Sequence, residues 1–128
     1  MKYLGVDIGS KRVGVAISDD AGTVAFPLEV LSREACIDRM AAIIDERNIS
    51  AVVIGESLAL DGSENPIMQD VRAVADALRG KAEIIFQPEQ FSTQEASRLG
   101  KGSDAEAATI ILQSYLDRHA PDAPIDFE

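Results

Sequence analysis

The chain has 128 residues, 46% of them apolar and 27% charged, which is ordinary for a globular protein and enough for one hydrophobic core. Twenty-two Asp and Glu residues against 12 Lys and Arg residues give a net charge of −10, which disfavours tight, non-specific binding to phosphate backbones. No apolar run approaches the ~20 residues of a membrane span, and the N-terminus does not resemble a signal peptide. The single Cys36 cannot form an internal disulfide. We therefore expect a cytoplasmic protein.

Three strands joined by tight turns are predicted for the first part of the chain. Residues 2–8 form an apolar run, and residues 12–19 alternate imperfectly between larger apolar side chains and small ones, as a strand does. Residues 23–31 form a third run after the strong turn at 19–22. Because each connection is short, we expect an antiparallel meander.

After residue 31 the spacing of apolar residues changes to that of α-helices, and two further strands alternate with the helices. An amphipathic helix is predicted to begin near Ser32, with an apolar stripe formed by Ile37, Met40, Ala41 and Ile44. The short apolar runs 51–55 and 82–87 predict two strands inside the sheet. Between them, after a polar loop at 56–63, a second helix is predicted to face inward with Ile67, Val71, Val74, Ala75 and Leu78.

Together these elements predict one α/β domain. Two further helical segments, near 92–100 and 104–118, follow the fifth strand. Three hairpin-connected strands followed by β-α-β alternation give a five-stranded mixed sheet flanked by helices. We assign the domain to residues 1–118 and expect residues 119–128, which include two prolines, to form a loose tail.

Asp7 is the first candidate functional residue, because it lies inside or at the end of an apolar strand, where an unpaired carboxylate is costly to bury. A metal ion, a basic partner or backbone donors must offset that cost. Gly9 lets the backbone turn or a ligand come close, and Ser10 adds a hydroxyl group. The structural alternative is that Asp7 caps the turn at Gly9-Ser10.

Glu89 and Asp104 are two further candidate acids, each with a structural alternative. Glu89 follows the fifth strand, at the edge where α/β sheets generally bind ligands, although taken alone it is better explained as an exposed loop acid. Asp104 belongs to a capping box at 103–106, which explains it without any function. It also heads a helical stripe that directs it toward the sheet, formed with Ala107, Ala108 and Ile111.

Three carboxylates from a strand, a strand end and a helix start can converge on one site. Oxygen ligands without Cys or His favour Mg²⁺ or Mn²⁺, and two such ions can promote phosphodiester cleavage. The single His119 lies near the tail, so no histidine base is evident. Cations close to these acids in the sequence predict phosphate contacts, although ordinary surface solvation is the alternative. We assign substrate binding to Ser10, Lys11, Arg12, Arg98 and Lys101.

The pattern Asp7-x-Gly9-Ser10 also opens the phosphate loop of actin-like and sugar-kinase-like ATPases. Those proteins need a second lobe with another glycine-rich phosphate loop, for which 128 residues leave no room. We therefore rank an ATPase fragment far behind a nuclease.

With these motifs in place, the chain resembles the YqgF/RuvX family of Holliday junction resolvases. Three motifs carry the resemblance in order: LGVDIGSKRVGVAISD at 4–19, LDGSE at 60–64, and SDAEAA with ILQSYL at 103–108 and 111–116. The similarity covers nearly the whole chain, up to about Asp117.

The resemblance implies an RNase H-like fold and metal-dependent endonuclease activity in the cytoplasm. The implied role is maturation of the 5′ end of 16S ribosomal RNA, and resolution of branched DNA junctions is the older proposal. The family's acidic site residues correspond to Asp7, Glu89 and Asp104. The partner is then nucleic acid, and the chain is a monomer or a homodimer, since a dimer suits the symmetry of a junction.

Two departures from the family pattern keep an alternative open. Pro88-Glu89-Gln90 stands where the family usually has Asp-Glu-Arg, which removes a flanking acid and a basic residue. Gly55-Glu56-Ser57-Leu58 replaces Gly-Leu-Pro-Leu and adds an acid near the expected cleft. The alternative is a degenerate, non-catalytic member of the same fold that binds nucleic acid or protein.

Overall fold

A computed structural model shows a five-stranded sheet with helices on both faces. The structure describes residues 1–9, 11–56, 68–88 and 104–119, except for the side chains of Met68 and His119. The strands are β1 (Tyr3–Ile8), β2 (Arg12–Ser18), β3 (Ala25–Ser32), β4 (Ala51–Glu56) and β5 (Glu83–Pro88). Within the described ranges the helices are α1 (Cys36–Arg47), α2 (Met68–Leu78) and α3 (Asp104–His119).

The strands lie in the order β3-β2-β1-β4-β5. Strands β1, β2 and β3 pair antiparallel, as the short turns predicted, whereas β4 pairs parallel to both β1 and β5. In the central pairs, Asp7 lies opposite Gly14 and Val6 lies opposite Ile54. The predicted mixed sheet is therefore confirmed, and the end of β1 lies near its middle.

Two hydrophobic cores cover the two faces of this sheet, because successive strand side chains point in opposite directions. On one face, residues such as Leu4, Val6 and Val15 pack against α1 and α2. On the other face, Tyr3, Ala16 and Val53 belong to the cluster that contains the apolar stripe of α3. That stripe consists of Ala108, Ile111, Leu112 and Leu116.

Helix α1 begins four residues later than predicted, at Cys36 rather than near Ser32. Ser32 is the last residue of β3, and its hydroxyl accepts a hydrogen bond from the N–H of Ala35 at 3.3 Å, so it caps the connecting turn instead of the helix. The buried stripe is rotated accordingly. Ile37 was predicted to face inward and is exposed, while the buried positions are Cys36, Met40, Ile43 and Ile44.

The inward face predicted for α2 is confirmed at Val71, Val74, Ala75 and Leu78, which are all buried. Ile67, the predicted loop beyond Glu56, the predicted helix at 92–100 and the tail after His119 lie outside the described residues. Among the helices that the structure does describe, none combines the length and the apolar character needed to cross a bilayer.

Candidate active site

Asp7 is the next-to-last residue of β1, and its side chain lies on the face covered by α3. This follows from strand alternation, which places Gly5 and Asp7 on the same face. Helix α3 packs directly on the backbone at Gly5, where an added Cβ would lie 2.6 Å from the Cβ of Leu112. Asp7 is therefore held under the first turn of this helix, close to its N-terminal end.

Gly14 brings the beginning of α3 to Asp7. It lies directly opposite Asp7 in the β1–β2 pair, and a side chain there would collide with the backbone carbonyl of Asp104. A glycine inside a strand commonly marks such a close backbone approach. The missing side chain thus lets Asp104, the first residue of α3, lie beside Asp7. Two of the three predicted acids are therefore neighbours in the structure.

The electrostatics of Asp7 show the proximity of these two carboxyl groups. Burial, and after it repulsion from the Asp104 carboxylate, raises the pKa of Asp7 from 3.8 to about 6. No side chain of the described residues donates a hydrogen bond to Asp7. A partly buried carboxylate that lies next to a second one is a favourable place for a cation.

Asp104 already has one cationic partner, Arg12. The Nε of Arg12 lies 2.9 Å from Oδ2 of Asp104, and the two side chains are 69% and 36% exposed. Because Arg12 uses its Nε in this contact and is largely solvent-accessible, the other end of its guanidinium group remains accessible to a phosphate. A pair this exposed adds little to stability, so we interpret it as an orienting contact.

A shallow pocket of about 270 Å³ lies beside these residues and is lined by Gly9, Lys11, Arg12 and Asp104. Lys11 and Arg12 are exposed at its rim. The pocket therefore combines a carboxylate that can hold a metal ion with two cations that can hold a phosphate, as hydrolysis of a phosphodiester requires.

The residues present fit a divalent cation with oxygen ligands. Asp7 supplies a carboxylate to which no described side chain donates a hydrogen bond, and Asp104 supplies one that is paired with Arg12. Within residues 1–9, 11–56, 68–88 and 104–119, no three acids, histidines or cysteines are grouped closely enough to hold a metal. A complete ligand set therefore needs water, substrate oxygens or an acid from elsewhere in the chain.

Four of the predicted site residues lie outside the described residues: Ser10, Glu89, Arg98 and Lys101. Glu89 directly follows Pro88, the last residue of β5, in the sequence. Its assignment as a third acid stays a prediction, and so do the substrate contacts assigned to the other three.

The two departures from the family pattern are neighbours in the sheet, since Glu56 lies opposite Pro88 at the end of the β4–β5 pair. Ile54 belongs to the core cluster on the α1 and α2 face. Strand alternation places Glu56 on that same face, opposite to the one occupied by Asp7. The extra acid is thus directed away from the Asp7 carboxylate, which weakens the argument that it disables the site.

Gly14 is a site residue that the sequence reasoning did not single out. Its signal was present, because a glycine between Val13 and Val15 interrupts an apolar strand. Nothing in the sequence indicates which backbone approaches it, since Asp104 is 90 residues further along the chain.

Comparisons with known proteins agree with this geometry. A family profile described as "RuvX: Holliday junction resolvase" matches residues 1–118. A protein of Anaeromyxobacter sp. (strain Fw109-5) named "Putative pre-16S rRNA nuclease" is 39% identical, over 94% of this chain and 100% of its own length. A protein of the same name from Desulforudis audaxviator is 36% identical, over 91% of this chain and 94% of its own.

Solved structures of resolvases share the fold. Thermus thermophilus RuvC, in complex with a Holliday junction substrate, superposes with a TM-score of 0.62 at 16% identity, over 92% of this chain and 95% of that one. Fowlpox virus resolvase, in complex with Holliday junction DNA, gives 0.58 at 13% identity, over 92% and 98%. At such low identity these likenesses show the fold alone, and they confirm the RNase H-like architecture predicted from the sequence.

Proposed function

The chain belongs to the RuvX family of Holliday junction resolvases, and we propose that it cleaves precursor 16S ribosomal RNA with divalent metal ions bound beside Asp7 and Asp104. Family membership makes it a nuclease that hydrolyses phosphodiester bonds. The observation that carries the proposed site is the placement of Asp104 beside Asp7 over the side-chain-free Gly14.

Ribosomal RNA is the proposed substrate because the relatives that align over nearly the whole chain carry that name. The cleavage we propose matures the 5′ end of the 16S RNA. The structures with bound branched DNA are far more distant in sequence, so a Holliday junction is the second substrate to test. Since ribosomal RNA is processed in the cytoplasm, the proposal also implies a cytoplasmic location.

Asp7, Asp104 and Glu89 are the residues that we propose as metal ligands, with Mg²⁺ or Mn²⁺ as the ion. Such ions, when bound, activate water and stabilise the charge that develops on the leaving oxygen. Asp7 contributes a negative charge that no donor among the described side chains already neutralises. Asp104 contributes a second charge, which the ion pair with Arg12 neutralises in part.

Lys11 and Arg12 are the residues that we propose to hold the scissile phosphate, and Ser10, Arg98 and Lys101 are proposed to extend that contact. Lys11 and Arg12 line the pocket beside Asp104. Because the whole chain has a net charge of −10, a local group of cations must supply most of the attraction for RNA. Binding is therefore expected to depend on this short basic turn and to weaken steeply as salt is added.

The decisive experiment compares cleavage of a precursor 16S RNA that carries a 5′ extension with cleavage of a synthetic four-way DNA junction. The purified wild-type chain, Asp7→Asn and Asp104→Asn are each assayed with Mg²⁺, Mn²⁺ or EDTA. We expect wild type to shorten the RNA at its 5′ end only when metal is present. We expect each variant to lose at least about 100-fold in rate, because removing one electrostatic group from such a site costs that much.

An exposed acid on α2 supplies the matched control. Asp76→Asn makes the same chemical change away from the pocket and should cleave like wild type. Cleavage of the junction but not of the RNA would overturn the substrate assignment. Cleavage that survives in Asp7→Asn would overturn the site. Cleavage of neither substrate with either metal, under conditions in which a curated relative is active, would favour the non-catalytic alternative.

A further inference from the structure

Arg33 is a largely buried cation just after β3, and it contacts the turn that follows Asp7. Its side chain is 24% exposed, and among the described residues its buried Nε has no hydrogen-bond partner, although the guanidinium group also interacts with the Cys36 thiol. A buried guanidinium group that is incompletely hydrogen-bonded is a poor source of stability. Its contacts therefore need an explanation other than a contribution to folding.

Those contacts converge on the β1–β2 turn. Nη1 of Arg33 donates to the carbonyl oxygen of Gly9 at 3.1 Å, and the backbone N–H of Arg33 donates to the carbonyl oxygen of Lys11 at 3.2 Å. The turn itself is closed by the N–H of Gly9, which donates to the carbonyl oxygen of Arg12 at 2.9 Å. One residue thus holds two backbone carbonyls of the segment that carries the basic rim of the pocket.

Asp70 holds Arg33 from the other side. The same Nη1 lies 3.3 Å from Oδ2 of Asp70, which belongs to the first turn of α2. Helix α2 covers the face of the sheet opposite to α3. The contact therefore holds the turn from the face of the sheet that α2 covers, and neither Arg33 nor Asp70 lines the pocket.

We infer that Arg33 is a positioning residue for cleavage: supported by Asp70, it fixes the turn that carries Lys11 and Arg12 relative to Asp7. This inference rests on the proposed function, because the turn matters to cleavage only if the pocket binds the phosphate. The residue acts through the backbone of the turn and touches neither metal nor substrate. Small displacements of groups that hold a reacting phosphate are known to cost large factors in rate.

Arg33→Met in the full chain separates this role from a structural one. Methionine fills a similar volume without a charge, and Asp70, which is 47% exposed, stays solvated when its partner is removed. We expect the melting temperature to stay within about 3 °C of wild type, while kcat for RNA cleavage falls on the order of tenfold with a smaller change in KM.

Arg39→Met is the matched control. Arg39 also forms an arginine–carboxylate pair, with Nε 3.0 Å from Oε1 of Glu29, and it lies on α1 away from the turn. Its loss should leave kcat unchanged. If Arg33→Met instead lowers melting temperature and activity in parallel, or leaves kcat at the wild-type value, the inference is wrong.

Two milder variants keep the test decisive if Arg33→Met does not fold. Arg33→Lys keeps one donor for the Gly9 carbonyl and should retain more activity than the methionine variant. Asp70→Asn should lower kcat about threefold in wild type and have no further effect in the Arg33→Met background, because the two residues act as one unit. Full wild-type activity in both milder variants would overturn the inference.

Amide hydrogen exchange at Gly9 distinguishes failure of this inference from failure of the proposed function. Measured by NMR without metal or nucleic acid, exchange of the Gly9 N–H should speed up on the order of tenfold in Arg33→Met and stay unchanged in Arg39→Met. If wild type cleaves no nucleic acid, the proposed function fails, and the exchange rate still shows whether Arg33 holds the turn. Equal exchange in all three proteins would overturn the inference even if wild type is active.

Discussion

Replacing Asp7 by asparagine should stabilise the metal-free protein at the same time as it abolishes cleavage. Burial, followed by repulsion from Asp104, raises the pKa of Asp7 from 3.8 in the unfolded chain to about 6. Because the folded-state pKa is the higher one, ionisation of Asp7 costs stability. The cost is absent below about pH 4, grows between pH 4 and 6, and is complete above that range. The difference corresponds to about 3 kcal/mol at pH 8.

A neutral asparagine of the same shape should recover about 2 kcal/mol of this cost, since its amide is still partly buried. For a chain of this length, that free energy corresponds to a rise of about 7 °C in melting temperature at pH 8 in EDTA. At pH 4.5 ionisation of Asp7 costs only about 1 kcal/mol, because most of the folded protein then carries a protonated Asp7. The cost of burying the amide offsets that amount, so the difference in melting temperature should nearly vanish.

Differential scanning calorimetry of wild type and Asp7→Asn at the two pH values measures this effect. Asp76→Asn, at an exposed carboxylate paired with Arg79, is the matched control and should shift the melting temperature by about 1 °C or less. Added Mg²⁺ should stabilise wild type and not Asp7→Asn. If Asp7→Asn melts at or below the wild-type temperature at pH 8 in EDTA, then the carboxylate is already compensated and the argument for a cation there is refuted.

Three further changes test the contacts around this residue. Gly14→Ala should cost about 3 kcal/mol in urea unfolding and lower cleavage at least tenfold by displacing Asp104. Gly80→Ala should change neither, because its Cβ would meet no described residue within 4 Å. Arg12→Gln should strengthen Mn²⁺ binding about threefold in an EPR titration, because Asp104 loses a competing cation. The same variant should raise KM for RNA about fivefold, and weaker Mn²⁺ binding would contradict this account. Leu112→Ala should lower the free energy of unfolding, measured with denaturant, by about 3 kcal/mol, because the leucine side chain is fully buried against the backbone at Gly5. A loss below about 1 kcal/mol would contradict that packing.

The sequence predicted the sheet well because strand signals in this chain are local. Apolar runs, alternation and short turns each lie within about ten residues, and they were sufficient for all five strands and the antiparallel meander. Helix α1 was placed less accurately, because Ser32 caps a turn with the same hydroxyl chemistry that caps a helix. Only the register of the helix on its core decides that Ile37 faces outward.

The sequence could predict a residue of the candidate site only where its polarity conflicts with that of its neighbours in the chain. Asp7 stands out because a carboxylate in an apolar strand is unfavourable without compensation. Gly14 gives a weaker signal, a glycine inside an apolar strand, and Arg33 gives none, since an arginine after a strand is common at a protein surface. Their roles depend on contacts with Asp104 and Asp70, which are 90 and 37 residues away in the chain. Such pairings become visible only when the strands and helices are assembled.

The most direct test of the central claim is a crystal structure of the protein soaked in Mn²⁺, with data collected at a wavelength where manganese scatters anomalously. We predict an anomalous peak within about 2.3 Å of carboxylate oxygens from both Asp7 and Asp104. The peak should be lost in Asp7→Asn. An anomalous map without a peak at these carboxylates, from crystals of wild-type protein at millimolar Mn²⁺, would contradict the account.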